Sequence, residues 1–252
     1  MAAIPFQEEI EYPESDGQPL ESDAHVQEMI DLRVALRKYF RGQDVYVGSN
    51  LFIYYEEGNP RASLGPDVFV TLGVSSAMRR LYKVWEEGKP PTVVFEITSR
   101  STRREDLGRK KDLYARLGVE EYFLHDVLGE CMMPRLQGFR LEDGRYRRLE
   151  PDADGGLESR ALGLRMREDG MWLRLFDPAT GEILLTPEEE ILKAEREEAG
   201  RREAEAALTE AEAALTEAEQ RAEQEGGARR EAEQRIRALE EELARLRAPH
   251  PD

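Results

Sequence analysis

The sequence predicts an α+β domain followed by a long charged helix, and three features support this fold class. A strand–helix–strand pattern from Thr92 to Asp126 indicates a parallel crossover. Short alternating strands from Leu136 onward, separated by Asp-Gly and Gly turns, indicate antiparallel pairing. After Thr186 the chain has no Trp, Tyr or Phe and is dominated by Glu, Ala, Arg and Leu. We therefore expect an N-terminal extension over residues 1–20, a domain over residues 21–186 and a charged coiled-coil tail over residues 187–252.

Each element of the domain has its own signal. Apolar residues recur at near-helical spacing over Asp23–Phe40, which predicts a first helix. Thr92–Thr98 is almost continuously apolar, as in a strand buried on both faces. A helix capped by Ser101 or Thr102 should follow this strand as far as about Leu117. The other predicted strands are Val45–Val47, Leu51–Tyr55, Val68–Thr71, Glu121–Asp126, Gly138–Leu141, Tyr146–Leu149 and Met171–Phe176.

The tail has a heptad pattern. The segment AALTEAE occurs twice in succession, and Thr186-Pro187 followed by acids is typical of a helix start. With Leu208 at position a, the a series reads Leu208, Leu215, Ala222, Arg229, Ile236 and Leu243, and the d series reads Ala204, Ala211, Ala218, Glu225, Ala232, Leu239 and Leu246. The seam is weak in its middle, where Gly226-Gly227 predicts a break or a bend because each glycine costs a helix about 1 kcal/mol.

Two alternatives follow for the tail. It forms a coiled coil that pairs chains into a homodimer or higher oligomer through residues 188–252, or it remains a solvated single helix.

The composition excludes several classes of protein. A single cysteine, Cys131, excludes an intrachain disulfide framework and a Cys-based zinc site, and suits a reducing compartment. The first twenty residues carry acids where a signal peptide needs a basic and then an apolar stretch, and no apolar run approaches about 20 residues. We therefore expect a cytoplasmic protein without a membrane partner. The net charge of -17 argues against a broad basic surface for nucleic acid and leaves room only for a local groove or a metal-mediated contact.

Two acidic residues stand where the predicted sheet should be buried. Glu96 is the one charge within Thr92–Thr98, and a buried ionised carboxylate needs a partner or a metal. Asp67 precedes the strand Val68–Thr71, from which it can point toward Glu96 if the two strands are neighbours. Two converging carboxylates make an oxygen site suited to Mg²⁺ or Mn²⁺. The alternative is that Glu96 lies at the strand end and pairs with one of the arginines that follow.

A third element lies on the helix after the Glu96 strand. Asp106, Lys110 and Tyr114 are four residues apart and share one helical face. The chain has only six lysines against thirty arginines, and Lys110 and Lys111 stand together on this helix. A lysine here can orient an attacking water or offset charge on a phosphoryl transition state. The alternative is an ordinary surface pair between Asp106 and Lys110, worth about 0.3 kcal/mol.

Taken in this order, the residues resemble a known family. Pro66-Asp67 before a strand, then VVFEITSRSTRREDLGRKKDLYARLGVEEYF from Val93 to Phe123, is similar to the Uma-type putative restriction endonuclease family of the PD-(D/E)XK nuclease superfamily. The similarity covers roughly residues 20–190 and is tightest from Pro90 to Asp126. It implies a restriction-endonuclease-like mixed β-sheet core flanked by helices.

The resemblance also implies a Mg²⁺-dependent centre that hydrolyses DNA phosphodiester bonds. Carried over by position, the metal ligands would be Asp67 and Glu96, the catalytic lysine would be Lys110, and the supporting residues would be Ser99, Asp106 and His25.

The sequence departs from the superfamily pattern at one position. Thr98 stands where a lysine usually follows two residues after the acid. Lys110 must then reach the site from the helix, and Lys111 is its rival. His125 occupies a position where the family more often has an apolar residue, and we interpret it as structural or exposed.

Two functions are consistent with these residues. The first is a metal-dependent endonuclease with DNA as its substrate. The second is a nuclease-like interaction module that has lost useful activity and recruits a partner through the coiled coil. Phosphate contacts for the first would come from a local arginine groove, unless these side chains are only a solvated helix face: Arg100, Arg103, Arg104, Arg109 and Arg116.

Overall fold

The computed structural model describes residues 22–247, so the predicted extension over residues 1–20 lies outside the described residues. In chain order the elements are α1 (Asp23–Tyr39), β1 (Val45–Ser49), β2 (Ile53–Tyr54), β3 (Ser63–Leu64), β4 (Val68–Leu72), β5 (Tyr82–Lys83), α2 (Val84–Glu87), β6 (Val93–Ile97), α3 (Arg103–Glu105), a π-helical turn (Asp106–Lys110), α4 (Lys111–Leu117), β7 (Glu121–His125), β8 (Leu136–Glu142), β9 (Arg145–Arg148), β10 (Leu157–Ser159), β11 (Leu164–Asp169), β12 (Trp172–Phe176) and α5 (Pro187–Arg247).

A six-stranded sheet in the order β1-β4-β6-β7-β8-β9 forms the centre of the domain. Its one parallel pair is β6–β7, joined by the crossover through α3, the π-helical turn and α4. All other pairs in this sheet are antiparallel. The predicted α+β fold with a mixed sheet is therefore confirmed.

The two faces of the sheet are covered by different elements. Alternation along β6 sends Val93 and Phe95 to a core shared with α1 and the sheet β10-β11-β12, whereas Val94 packs on the opposite face against α4. Glu96 follows the same alternation as Val94, so its side chain also projects toward α4. The strand thus carries its one charge into the core beneath a helix.

Several local predictions were wrong. Of the run Leu51–Tyr55 only Ile53–Tyr54 is a strand, and it pairs with β3 and β5 in a separate sheet. Thr102 makes no capping hydrogen bond, because its Oγ1 accepts the N–H of Ser99 at 3.0 Å instead. The sequence also failed to indicate β3, β5, α2, β10 and β11.

The C-terminal helix begins as predicted but has no break. Thr186 forms a capping box with Glu189: Oγ1 of Thr186 accepts the N–H of Glu189 at 3.3 Å, and Oε2 of Glu189 accepts the N–H of Thr186 at 2.9 Å. The helix runs for 61 residues through Gly226-Gly227 without interruption. Flanking Ala, Glu and Arg residues favour helix strongly, and adding residues to an existing helix is cooperative, which outweighs the glycine cost.

Residues up to Glu190 form one compact unit, and residues from Ile191 onward form a second. Across residues 22–247, no helix combines the length and the apolar character needed to cross a membrane.

Candidate active site

Asp67 lies at the point where β4 begins beside the end of β6. The register pairs Val68 with Phe95, which places Asp67 beside Glu96. Its Oδ2 accepts the N–H of Ile97 at 2.7 Å, and its Oδ1 lies 3.0 Å from Nε2 of His25. The Asp67 side chain remains 19% exposed, so solvent reaches this carboxylate.

His25 is positioned by the start of α1. The hydroxyl of Ser22 accepts the N–H of His25 at 3.3 Å and caps the helix. This cap fixes the first turn of α1 against the mouth of β4. The predicted supporting residue His25 is therefore in direct contact with Asp67.

Glu96 is buried, and both of its oxygens have partners. Nζ of Lys110 lies 3.0 Å from Oε2, and the hydroxyl of Tyr114 donates to Oε1 at 2.8 Å. The alternative that Glu96 pairs with a following arginine is therefore wrong, because the partners come from the π-helical turn and α4.

Lys110 bridges two buried carboxylates. Besides Glu96, its Nζ lies 3.0 Å from Oδ1 of Asp106, which is itself 1% exposed. The Asp106–Lys110 pair is thus a buried contact and not the surface pair that the sequence allowed. Both residues lie on the π-helical turn, a form of helix that occurs frequently at functional sites.

Lys111 points elsewhere. Its Nζ lies 3.9 Å from the centre of the Phe139 ring, a cation–π contact with the strand β8. Of the two neighbouring lysines, only Lys110 is in contact with the carboxylates.

The cluster holds more acids than bases. Burial raises the pKa of Glu96 to about 8; Lys110 opposes this shift, and the carboxylates of Asp67 and Asp106 add to it. Burial also raises the pKa of Asp106, again against Lys110. For Lys110 burial acts to lower the pKa, but Glu96, Asp106 and Asp67 outweigh it and raise the pKa above its ordinary value. Lys110 therefore stays protonated, and three acids share one ammonium.

Ser99 and two of the arginines predicted to contact phosphate have partners in the chain. The hydroxyl of Ser99 hydrogen-bonds with Ser101 at 2.8 Å and with Thr102 at 3.2 Å, so it stabilises the loop after β6. Two of the five groove arginines are paired with acids of the same chain. These ion pairs are Arg100–Glu130 and Arg109–Glu105.

A second buried pair was missed by the sequence analysis. Nδ1 of His125 lies 2.5 Å from Oε1 of Glu28, and both side chains are at most 2% exposed. His125 is therefore not exposed, and Glu28 is its partner from α1. The spacing of Glu28 three residues after His25 on one helical face was the only signal in the sequence.

The donors of the cluster fit a divalent cation. The carboxylate oxygens of Asp67 and Glu96 have lone pairs beyond those that accept from His25, Ile97, Lys110 and Tyr114. The surplus of acids over bases in the cluster also favours a cation. Within residues 22–247, no three His, Cys, Asp or Glu side chains form a ready metal cluster. A metal here would rest on Asp67 and Glu96, with its remaining ligands from water, main chain or substrate.

The family model that matches this chain is described as "Uma2: Putative restriction endonuclease" and covers residues 2–168. No curated protein matches the chain significantly. One similar solved structure is a putative nuclease belonging to DUF820 from Anabaena variabilis, which is 12% identical, covers 59% of this chain and 80% of that chain, and has a TM-score of 0.43. The family match spans the mixed sheet and every residue of the acidic cluster, and the chain belongs to the Uma2 family of putative restriction endonucleases.

Proposed function

We propose that the chain is a metal-dependent endonuclease that hydrolyses DNA phosphodiester bonds. The observation that carries this proposal is the convergence of Asp67, Glu96 and Lys110 from three separate elements into one cluster. Metal-assisted phosphodiester hydrolysis needs carboxylates to hold the metal and a positive group to offset developing charge. In this chain Lys110 lies within hydrogen-bonding distance of Glu96, and the register of β4 and β6 places Asp67 beside Glu96.

Asp67 and Glu96 are the proposed ligands of Mg²⁺, or of Mn²⁺ in its place. When bound, the metal supplies Lewis-acid activation of the attacking water. His25 keeps Oδ1 of Asp67 oriented, and Tyr114 does the same for Oε1 of Glu96.

Lys110 is the proposed catalytic lysine. An ammonium group has three protons, and two of them point to Glu96 and Asp106. The third proton is available to a phosphoryl oxygen or to the attacking water. The side chain is 15% exposed, which leaves a route from solvent to this donor. Asp106 positions Lys110 rather than reacting itself.

DNA is the proposed substrate, and exposed arginines on α3 and α4 are the proposed phosphate contacts. Arg103, Arg104 and Arg116 are exposed in the described structure. Because few such contacts are available on an acidic chain, we expect binding to be weak and to fall only modestly with salt, by about 0.9 in log K per decade of salt for each phosphate contact. We place this activity in the cytoplasm, a reducing compartment that keeps Cys131 as the free thiol it is in the structure.

Cleavage of supercoiled plasmid in Mg²⁺ or Mn²⁺ tests the proposal. Asp67→Asn, Glu96→Gln and Lys110→Met preserve side-chain size and should each lower the cleavage rate by about 100-fold or more. Lys111→Met is the matched control and should cut as fast as the wild type.

Wild-type cleavage no faster than that of the three variants would overturn the nuclease proposal and favour the non-catalytic interaction module. Equal loss in Lys110→Met and Lys111→Met would reject the assignment of Lys110. Titration of Mn²⁺ into the same proteins distinguishes the nuclease further from the non-catalytic interaction module. If the chain is the proposed nuclease, Asp67→Asn and Glu96→Gln bind Mn²⁺ more weakly than the wild type does.

A further inference from the structure

We infer that α5 pairs with α5 of a second copy of the chain as a parallel, in-register coiled coil. The first observation is an exposed apolar stripe on a helix that forms a unit of its own beyond Ile191. Large apolar side chains at its a and d positions are 50 to 61% exposed: Leu208, Leu215, Ile236, Leu239 and Leu243. A stripe with this heptad spacing is the surface that a partner helix covers.

The C-terminal part of the stripe favours two parallel helices. Ile236 at a and Leu239 at d are followed in the sequence by Leu243 at a and Leu246 at d. A β-branched residue at a together with leucine at d is the combination typical of parallel dimers. This segment is the strongest part of the seam.

Charges beside the seam select the same orientation. In a parallel pair, position g of one helix faces position e of the next heptad on its partner. Arg235 then faces Glu240 of the second copy, and this contact is attractive.

An antiparallel pair brings e positions against each other. Five e positions carry glutamate, so this orientation places like charges together along the seam: Glu205, Glu212, Glu219, Glu233 and Glu240. The charge pattern therefore disfavours the antiparallel arrangement.

The weak middle of the seam fixes the register. Glu225 occupies a d position and Arg229 the next a position, four residues later. In a parallel pair without offset, Arg229 of each helix lies one layer from Glu225 of the other copy. In the single chain Arg229 contacts Glu233 at 3.1 Å, an exposed pair that can exchange for this one. If one helix were shifted along the other, Glu225 and Arg229 would pack against apolar residues of the partner helix. Polar residues in a coiled-coil seam specify the alignment of the two helices in this way.

Chain connectivity then attaches both domains at the same end of the paired helices. Resting on the proposed nuclease function, a parallel dimer contains two catalytic clusters, one for each strand of a duplex. An antiparallel pair would attach the domains at opposite ends, and with about 1.5 Å of rise per residue they would be separated by tens of ångströms.

Disulfide cross-linking of the full chain tests orientation and register. In a Cys131→Ser background, Ala232→Cys places a thiol at a d position, where the two copies face each other only in the parallel, in-register pair. Gln234→Cys, at the outward f position two residues away, is the matched control. Mild oxidation should convert most of the Ala232→Cys chain into a covalent dimer on a non-reducing gel and leave Gln234→Cys monomeric.

Charge reversal gives a second test that introduces no cysteine. Arg235→Glu should raise the dissociation constant of the dimer by about tenfold in sedimentation equilibrium, because two attractive pairs become repulsive. Adding Glu240→Arg to the same chain should restore the wild-type value. In an antiparallel pair residue 235 does not face residue 240, so Glu240→Arg would change the dissociation constant by the same factor with and without Arg235→Glu.

A wild-type chain that sediments as a monomer, or equal cross-linking of Ala232→Cys and Gln234→Cys, would overturn the inference. Both readouts are independent of catalysis, so an inactive chain that dimerises rejects only the nuclease, and an active monomer rejects only the pairing.

Discussion

Two buried acid–base clusters lie beside the central strand β6, and they differ in charge balance and in access to solvent. In the Asp67 cluster, three carboxylates share the one ammonium of Lys110, and Asp67 and Lys110 remain partly exposed. In the Glu28–His125 pair, one buried acid meets one buried base and both are at most 2% exposed; a further acid, Glu168, is 32% exposed and lies 4.0 Å from Nε2 of His125. Burial of charge alone therefore does not identify a functional site. The proposed site differs from the other pair by its surplus of acids and its opening to solvent.

The largest expected effect on stability comes from breaking the balanced pair. His125→Leu should lower the free energy of unfolding by about 3 kcal/mol, because Glu28 stays buried without its partner. Urea unfolding near neutral pH measures this loss. The double variant Glu28→Leu with His125→Leu should recover most of it, since no unpaired charge remains. If both variants unfold like the wild type, the pair contributes nothing to the fold.

The unbalanced cluster should instead respond to added metal. Mn²⁺ at about 100 times its dissociation constant should stabilise the wild type by about 2.7 kcal/mol and raise Tm by several degrees. Asp67→Asn should remove this shift and His125→Leu should retain it. An equal shift in wild type and Asp67→Asn would place the metal away from the cluster.

In metal-free buffer, the same cluster should make stability fall as pH rises. Burial raises the pKa of Glu96 from 4.5 to about 8, so the folded chain binds this proton more tightly than the unfolded chain does. Its stabilising contribution is complete below pH 4.5 and is lost as the pH approaches 8. Urea midpoints measured across this range check the slope.

Glu96→Gln should reduce that slope without abolishing it, because burial also raises the pKa of Asp106 and Glu28. An unchanged slope in Glu96→Gln would exclude Glu96 as its source.

The smallest effect belongs to the lysine outside the cluster. Lys111→Ala should cost about 0.5 to 1 kcal/mol of stability through loss of the contact with Phe139. Plasmid cleavage should stay within about twofold of the wild type. A twofold change in rate corresponds to a change of about 0.4 kcal/mol in the activation barrier. A large loss of cleavage would mean that Lys111 takes part in the reaction.

Short-range patterns predicted the Asp67 cluster but not the balanced pair. Glu96 stood out because it interrupts an apolar strand, and Asp106 and Lys110 because they share one helical face. His125 and Glu28 are 97 residues apart, and an acid on an amphipathic helix is typical of an exposed position. Only the packing of α1 across the sheet brings them together.

The choice between Lys110 and Lys111 also required the structure. Two adjacent residues of a helix point in directions about 100° apart, and the sequence does not say which direction faces the sheet. The π-helical turn fixes the direction of Lys110, and the ring of Phe139 fixes that of Lys111. Local sequence propensity predicts neither feature.

Asp67 also stabilises the central sheet, and this bears on how inactive relatives should be recognised. Its Oδ2 holds the N–H of Ile97 and so joins β4 to β6 whether or not the chain cuts anything. Selection for folding would keep this aspartate long after catalysis had been lost. The trio Glu96, Asp106 and Lys110 is different, because apolar residues of similar volume can replace a buried ionic group without loss of stability. In relatives that have lost activity, these three residues should be substituted before Asp67 is. Their presence is therefore a better marker of an active enzyme than the Pro-Asp turn.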